Sequence, residues 1–448
     1  MNILKSRIKK YTMKNINMKL VPIFLFIFTT ACSQPASVSK TTHPDPGKGG
    51  HVIDEGRSYD PQPGQPGEDT VSKIIPAANR IELYLPLLKG KRIAVFANNT
   101  SMVHQTHLVD TLSKLGLNIR KIFAPEHGFR GTADAGEKVT NSKDPKTGIP
   151  VLSLYGKKRK PSAEDLADVD VIVFDIQDVG VRFFTYISSL EDLSESAIEF
   201  KKPLIVLDRP NPNGFYVDGP MSKKGFRSFL GMQKVPVVYG MTIGEYATML
   251  KGENWIDSSI RKKGKLDLTV IPCGNYTHKS KYIVPIKPSP NLPDMASIYL
   301  YPSTCFFEGT ALSEGRGTDR PFQVFGHPLL PDTLFSFTPR SREGAKDPKL
   351  KDKLCYGWDE GGSSELALKK VNNKVQLKWL LRAYQMFPGK DSFFINKGAN
   401  FNRLAGNDIL IQQVKNGFDE QLIRESWQSE LDEFKKIRKK YLLYKDFE

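Results

Sequence analysis

Short apolar runs that alternate with helical patterns constrain the fold of this chain more than any other feature of its sequence. Between the runs, apolar residues recur at helical spacing, as they do from Leu108 to Leu115 before Gly116. Strands separated by crossover helices are typical of a parallel sheet. The sequence therefore predicts an α/β fold whose sheet contains four clear strands, at 92–97, 119–124, 169–174 and 203–207.

Polar residues follow each of these four runs. The carboxyl ends of parallel strands share one edge of the sheet, and an open α/β sheet binds its ligands there. The strands themselves supply the core, so packing does not explain the polar residues at their ends. We expect these residues to form a polar cleft: Asn98, Glu126, Asp175, Gln177, Asp178, Asp208 and Arg209.

The first 32 residues resemble a lipoprotein export signal. A basic stretch to Lys19 precedes the apolar run Leu20–Phe28, and small residues then lead to Cys32. Nine residues are too few to span a bilayer, which takes about 20. We expect Cys32 to be lipidated, and the protein to be anchored to a membrane of the cell envelope on its periplasmic or cell-surface face.

The rest of the chain divides by composition. Residues 33–74 are rich in Pro and Gly and predict a flexible tether. Residues 75–284 carry the alternating strand and helix pattern of a parallel α/β domain, which we expect to be the catalytic domain. Four prolines crowd into 285–293, which we interpret as the entry to a smaller C-terminal domain over 285–448.

The charge balance is basic, with 65 Lys and Arg against 49 Asp and Glu. Without the six basic residues of the leader, 59 remain against the same 49. An excess of this size suits an anionic membrane surface or a carboxylate-bearing substrate better than nucleic acid in an exported protein. The three later cysteines are an odd number and predict no disulfide framework.

The sequence lacks the motifs of several enzyme classes. No G-x-G-x-x-G or Walker A loop follows a strand, and neither H-E-x-x-H nor G-x-S-x-G is present. Acid, amide and guanidinium groups remain, and we expect no metal and no cofactor. Cleavage of a glycosidic bond fits that set, because it typically uses two carboxyl groups.

Glu126 is the first candidate for the acid that protonates a leaving group. It follows Pro125 at a strand end, in a tight polar turn. The alternative is a surface glutamate paired with Arg130. Asp175 and Asp178 are the other catalytic candidates, and either one could assist, orient a hydroxyl or cap the next helix.

Two further segments carry candidate binding residues. Arg182 and Tyr186 follow the third strand in an aromatic cluster, whose phenylalanines we assign to the core. Glu308, Glu314 and Arg316 lie in a glycine-rich loop, which we expect to form a wall of the cleft. An internal salt-bridged hairpin is the alternative for this loop.

Four motifs in order resemble the exo-β-N-acetylmuramidases of the NamZ type, formerly a domain of unknown function. The resemblance covers Ile81 to the C-terminus. It implies a Rossmann-like catalytic domain and a smaller α+β C-terminal domain, with the active-site cleft between them. It also implies an enzyme that releases N-acetylmuramic acid (MurNAc) from the non-reducing ends of peptidoglycan fragments. On the same resemblance, Glu126 is the catalytic acid and no cofactor is needed. The motifs are 125–131, 174–186, 207–214 and 307–321.

On that resemblance, an arginine is expected to recognise the lactyl carboxylate of MurNAc, with Arg182, Arg209 and Arg316 as candidates. A non-catalytic glycan-binding lipoprotein is the alternative function, and release of free MurNAc from MurNAc-GlcNAc saccharides separates the two. An esterase or amidase is disfavoured because no nucleophile motif is present. The other expected substrate contacts are Asn98, His127, Arg130, Gln177 and Asn211.

Overall fold

In the computed structural model, which describes residues 73–126, 128–130 and 141–448, the predicted strands lie in one mostly parallel sheet. Its strand order is β5-β6-β4-β1-β7-β8-β9, and β5 alone runs antiparallel to its neighbour. The strands are β1 Arg92–Ala97, β4 Asn118–Ala124, β5 Ser142–Lys143, β6 Pro150–Ser153, β7 Val171–Asp175, β8 Leu204–Leu207 and β9 Leu268–Ile271; a separate hairpin joins β2 Met102–Val103 to β3 Thr106–His107.

Alternate side chains of β1 enter two different cores. Ile93, Val95 and Ala97 pack on one face of the sheet, while Ala94 and Phe96 pack on the other. Because both faces are covered, the strands read as continuous apolar runs rather than alternating ones. This confirms the α/β fold that the sequence predicted.

Helices cover the two faces in turn. The helices α1 Ile81–Leu88 and α2 Leu108–Lys114 pack against the first face, and α4 Tyr186–Glu199 and α5 Ile243–Gly252 against the second. The chain thus leaves β1 and its neighbour β7 toward opposite faces, which makes the gap between their carboxyl ends a topological switch point. Short helices α3 Ala163–Leu166 and α6 Ser258–Arg261 complete this part.

The C-terminal part combines helices with a small antiparallel sheet, as the expected α+β class requires. Its strands β10 Val324–His327, β11 Phe335–Phe337 and β12 Cys355–Asp359 pair in the order β10-β12-β11. Its helices are α7 Met295–Thr304, α8 Ser364–Val371, α9 Leu377–Met386, α10 Lys390–Phe393, α11 Ala399–Ala405, α12 Ile409–Lys415 and α13 Glu420–Lys439.

The described residues form one compact unit, and a single core cluster runs through both predicted folded domains. The boundary at 284/285 therefore stays a prediction. Cys32 and residues 33–72 of the expected tether lie outside the described residues. Over the ranges that are described, no helix has the length and apolar character needed to cross a membrane.

Candidate functional site

A cavity of about 240 Å³ lies at the carboxyl ends of β4 and β6 and is closed by the loop that follows α7. We call it the Glu126 cavity. It brings together four of the residues expected at the site, Glu126, Tyr186, Glu308 and Arg316. The other side chains on its border are Tyr155, Phe183, Phe184, Thr185, Phe229, Leu230, Ser289, Asn291, Leu292, Tyr301 and Phe322.

Tyr155 holds the carboxyl group of Glu126. Its hydroxyl donates a hydrogen bond of 2.7 Å to Glu126 Oε1. Burial, reinforced by the Glu126 charge, raises the pKa of Tyr155 above its ordinary value, so the phenol keeps its proton and remains a donor. Arg130 instead pairs with Asp144, at 2.7 Å, and lies near Asp110.

A strained turn directs Tyr186 into the cavity. Thr185 immediately before it has φ of +73°, a conformation that is costly for a β-branched residue. The Tyr186 hydroxyl then accepts a hydrogen bond of 2.9 Å from Asn98 Nδ2. Asn98 is fully buried, so it acts by positioning Tyr186 rather than by contacting a ligand.

The wall opposite β4 carries a network of four charges. Arg316 pairs with Glu308 at 2.7 Å and with Glu314 at 3.0 Å, and Lys349 reaches Glu314 at 3.1 Å. Burial disfavours the Glu314 charge, but Lys349 and Arg316 outweigh it and hold the pKa of Glu314 well below its usual range. The loop is therefore internally salt-bridged, and it also borders the cavity through Glu308 and Arg316.

Aromatic rings form most of the remaining wall. Phe183 packs edge-on against Tyr301, and Phe184 packs edge-on against Tyr186. Phe183 belongs to the core, as expected, but both phenylalanines also border the cavity. Phe322, on the far wall, has φ of +62° and lies under the guanidinium of Arg316. Aromatic faces of this kind suit the apolar faces of a sugar ring.

A second cavity, of about 360 Å³, lies at the switch point between β1 and β7. We call it the Arg209 cavity. Gln177 and Arg209 border this cavity rather than the Glu126 cavity. The segment 282–292 forms a wall of both, with 282–286 on one side and 289–292 on the other.

Neither aspartate expected to assist catalysis borders the Glu126 cavity. Asp175 is fully buried, and its two oxygens accept from Arg209 at 2.6 and 2.9 Å. Asp178 accepts from the Gly180 amide and the Tyr239 hydroxyl, and burial raises its pKa to about 6. Both carboxyl groups are thus held inside the protein and away from the Glu126 cavity, and a direct catalytic role for either one stays a prediction that these contacts do not favour.

Arg182 is also part of the core. Its side chain is fully buried and donates to the carbonyl oxygens of Pro220, Val235 and Leu404 at 2.7–3.1 Å. These contacts disfavour the expected contact with substrate and indicate a structural role. Asn211 is likewise buried, and its Nδ2 donates to Met241 O.

The remaining candidates lie beside the cavity or beyond what is described. Glu314 is buried behind Arg316, and Arg130 is an exposed partner of Asp144. His127 lies outside the described residues. Sequence reasoning missed Tyr155, Tyr301 and Asn291. Tyr155 could have been found, because it follows the apolar stretch 149–154 just as Glu126 follows its own strand.

Two carboxyl groups on one cavity with aromatic walls, at the ligand-binding edge of an α/β sheet, match what a glycoside hydrolase requires. The family models described as exo-β-N-acetylmuramidase NamZ, N-terminal and C-terminal, match residues 93–296 and 299–444. The chain belongs to the NamZ family.

One relative is the peptidoglycan β-N-acetylmuramidase NamZ of Bacillus subtilis (strain 168), 37% identical over 381 residues, which cover 81% of this chain and 89% of the relative. Two solved structures from Bacteroides fragilis NCTC 9343, both of DUF1343 family proteins, share the fold. The first has a TM-score of 0.76 at 44% identity, covering 84% of this chain and all of that one. The second has a TM-score of 0.67 at 28% identity, covering 83% and 99%.

Proposed function

We propose that this protein is an exo-β-N-acetylmuramidase that releases MurNAc from the non-reducing ends of peptidoglycan fragments. The observation that carries the proposal is the presence of Glu126 and Glu308 on one aromatic cavity, in a chain of the NamZ family. A peptidoglycan-derived saccharide is the substrate class that this membership supports. A pure glycan-binding role would not require two carboxyl groups at the same cavity.

In this proposal Glu126 is the general acid. Its carboxyl group lies just beyond the carboxyl end of β4, and its Oε1 accepts the hydrogen bond from Tyr155. This carboxyl group carries the proton that passes to the departing glycosidic oxygen. The cavity is only partly open to water, and this partial exclusion of water strengthens the electrostatic contact between Glu126 and the glycosidic oxygen.

Glu308 takes the place that Asp175 or Asp178 was expected to hold. Its carboxyl group pairs with Arg316 at 2.7 Å, which holds it at the border of the cavity. Arg316 keeps its positive charge. Burial disfavours that charge, but Glu308 and Glu314 outweigh burial and raise the pKa of Arg316. Glu308 therefore assists either the attacking water or the anomeric carbon.

Incubation of the protein with MurNAc-GlcNAc tests the proposal, with NMR detection of the first anomer released. Free MurNAc must appear, and its first anomer tells whether Glu308 acts as nucleophile, with retention, or as base, with inversion. Glu308→Gln should lose turnover while binding is kept. Binding without any release of MurNAc by the wild-type protein would favour the glycan-binding alternative.

We also propose that Cys32 carries a lipid that anchors the protein in the cell envelope. The support is the sequence of the leader, in which a basic stretch and a short apolar run precede Thr-Thr-Ala-Cys. Cys32→Ala should move the protein from the membrane fraction to the soluble fraction and leave its activity unchanged. Retention of this variant in membranes would contradict the proposal.

A further inference from the structure

A third cavity, of about 400 Å³, lies between residues 225–228 and 396–403, and three cations border it. They are Arg227, Lys397 and Arg403, and all three side chains are exposed. We call it the Arg403 cavity. None of the described residues on its border is acidic. An opening that is lined by charges of one sign attracts ligands of the opposite sign, so this cavity favours anions.

The three cations are available to a ligand. Within the parts of the chain that the structure describes, none of them forms an ion pair or a side-chain hydrogen bond. Burial raises the pKa of Glu191 to about 8 although Arg227 lowers it, so this carboxyl group is largely protonated at pH 7 and does not neutralise Arg227. Lys223 and Lys224, which are exposed and directly precede Gly225, add further positive charge beside the cavity.

Both walls of the Arg403 cavity continue into the Glu126 cavity. One wall carries Arg227 on the Arg403 cavity and, three residues later, Leu230 on the Glu126 cavity. Three residues span at most about 11 Å. On the other wall, α11 packs against the short helix Cys305–Gly309, which carries Glu308. A ligand that fills the Glu126 cavity and extends past Leu230 therefore reaches the Arg403 cavity.

A further cavity of about 400 Å³ also adjoins the Glu126 cavity, with which it shares Asn291. Its charges are different. Arg342 pairs there with Asp319, and Glu343 also borders this cavity. Two carboxylates at one opening disfavour an anion. Of these two neighbours of the Glu126 cavity, the Arg403 cavity is therefore the one that suits an anionic part of the substrate.

A peptidoglycan strand carries anionic groups at regular intervals, because every second sugar is a muramyl residue. When the MurNAc at the non-reducing end occupies the Glu126 cavity, the leaving group begins with GlcNAc, and the sugar after it is again a muramyl residue. This second muramyl residue bears either a free lactyl carboxylate or a peptide stem with carboxylates of its own. In both forms, the strand presents an anion on the leaving-group side of the cleaved bond.

We propose that the Arg403 cavity binds the carboxylates of the second muramyl residue, the one beyond the departing GlcNAc. Lys397 and Arg403 contact them from one wall and Arg227 from the other. The first muramyl residue, in the Glu126 cavity, keeps its free lactyl carboxylate for Arg316. The order of the sugars rests on the function proposed above, whereas binding of an anionic saccharide to the cavity does not.

Three substrates test the proposal: MurNAc-GlcNAc, MurNAc-GlcNAc-MurNAc, and the same trisaccharide with an alanyl-glutamate stem on its last sugar. KM should be lower for a trisaccharide than for MurNAc-GlcNAc. If the plain trisaccharide already has the lower KM, the free lactyl carboxylate is bound. If only the stem-bearing trisaccharide has it, the carboxylates of the stem are bound. Equal KM values for all three substrates would overturn the proposal.

Arg403→Glu shows whether charge at this cavity causes the difference. It reverses an exposed charge, and it should reduce the KM advantage of the preferred trisaccharide over MurNAc-GlcNAc about three- to tenfold. Lys374→Glu is the matched control, because Lys374 is equally exposed and borders neither cavity. This control should keep the wild-type advantage. An advantage that survives Arg403→Glu would overturn the proposal.

Binding of the leaving group alone separates this proposal from the proposed function. GlcNAc-MurNAc, with and without the stem, is titrated into the protein by calorimetry. At least one form should bind, and Arg403→Glu should weaken that binding about three- to tenfold while Lys374→Glu does not. If neither form binds, or if Arg403→Glu has no effect, the proposal is overturned even when MurNAc-GlcNAc is cleaved. Binding without any cleavage contradicts the proposed function alone.

Discussion

The hydroxyl of Tyr155 donates a hydrogen bond of 2.7 Å to Oε1 of Glu126 and so joins the carboxyl ends of β6 and β4. Tyr155→Phe removes this bond and little else. Because the Tyr155 hydroxyl helps to position the Glu126 carboxyl, kcat should fall about ten- to a hundredfold while KM changes less than about threefold. Steady-state kinetics on MurNAc-GlcNAc measure both values.

Tyr299→Phe is the control for this change. Tyr155 is half-buried, whereas Tyr299 is a buried tyrosine that does not border the Glu126 cavity. It should keep kcat within about twofold of the wild type. Equal losses in the two variants would show that the Tyr155 hydroxyl contributes to stability alone and does not position Glu126.

Arg316 is the arginine at the Glu126 cavity, and it is our remaining candidate for the lactyl carboxylate. Arg316→Gln should erode the preference for MurNAc over GlcNAc glycosides by about ten- to a hundredfold. The ratio of kcat/KM values for the two glycosides measures this preference independently of the amount of folded enzyme. An unchanged ratio would leave Arg316 as a partner of Glu308 and Glu314 alone.

Arg182 should behave in the opposite way, because it binds three backbone carbonyls in the core. Arg182→Met leaves Pro220 O and Leu404 O without their donor, while Val235 O keeps the Ser222 amide, at a cost of about 3 kcal/mol in the free energy of unfolding. The ratio of activities on MurNAc and GlcNAc glycosides should stay at the wild-type value. A stable Arg182→Met variant with an altered ratio of activities would contradict this prediction and indicate that Arg182 contacts the substrate.

Asp178 should make stability depend on pH. Its pKa in the folded protein is raised to about 6 from an ordinary value near 4, so its contribution is fully present below about pH 4 and is lost as the pH rises through 6. Asp178→Asn lacks this titration. Urea unfolding at pH 4 and pH 7.5 should show the wild type losing about 3 kcal/mol relative to the variant. If the difference in the free energy of unfolding between the wild type and Asp178→Asn is the same at both pH values, the raised pKa of Asp178 is contradicted.

The sheet was predictable from the sequence because both its faces are buried. The runs at 92–97 and 203–207 match β1 and β8 to within one residue, since the positions 93–97 and 204–207 are all buried and apolar. The strand β6 was missed because it is short and starts with a proline.

The site was only partly predictable, because burial of a polar residue depends on partners that are distant in the chain. Glu126 and Tyr186 border the cavity as expected. From the sequence alone, Arg182 could equally be a surface cation. Only the fold shows that Leu404, 222 residues later, supplies a carbonyl acceptor for it. Asp175 similarly reads as a free carboxylate until Arg209 is placed beside it.

The central claim is that Glu126 donates the proton to the departing glycosidic oxygen, and Glu126→Gln tests it most directly. The variant keeps size and hydrogen-bonding capacity but carries no acidic proton. Turnover of MurNAc-GlcNAc should fall about 10²–10⁴-fold, and turnover of an activated nitrophenyl MurNAc glycoside should fall much less, because that leaving group departs without protonation. Equal losses on the two substrates, or turnover near the wild-type rate on both, would contradict the claim.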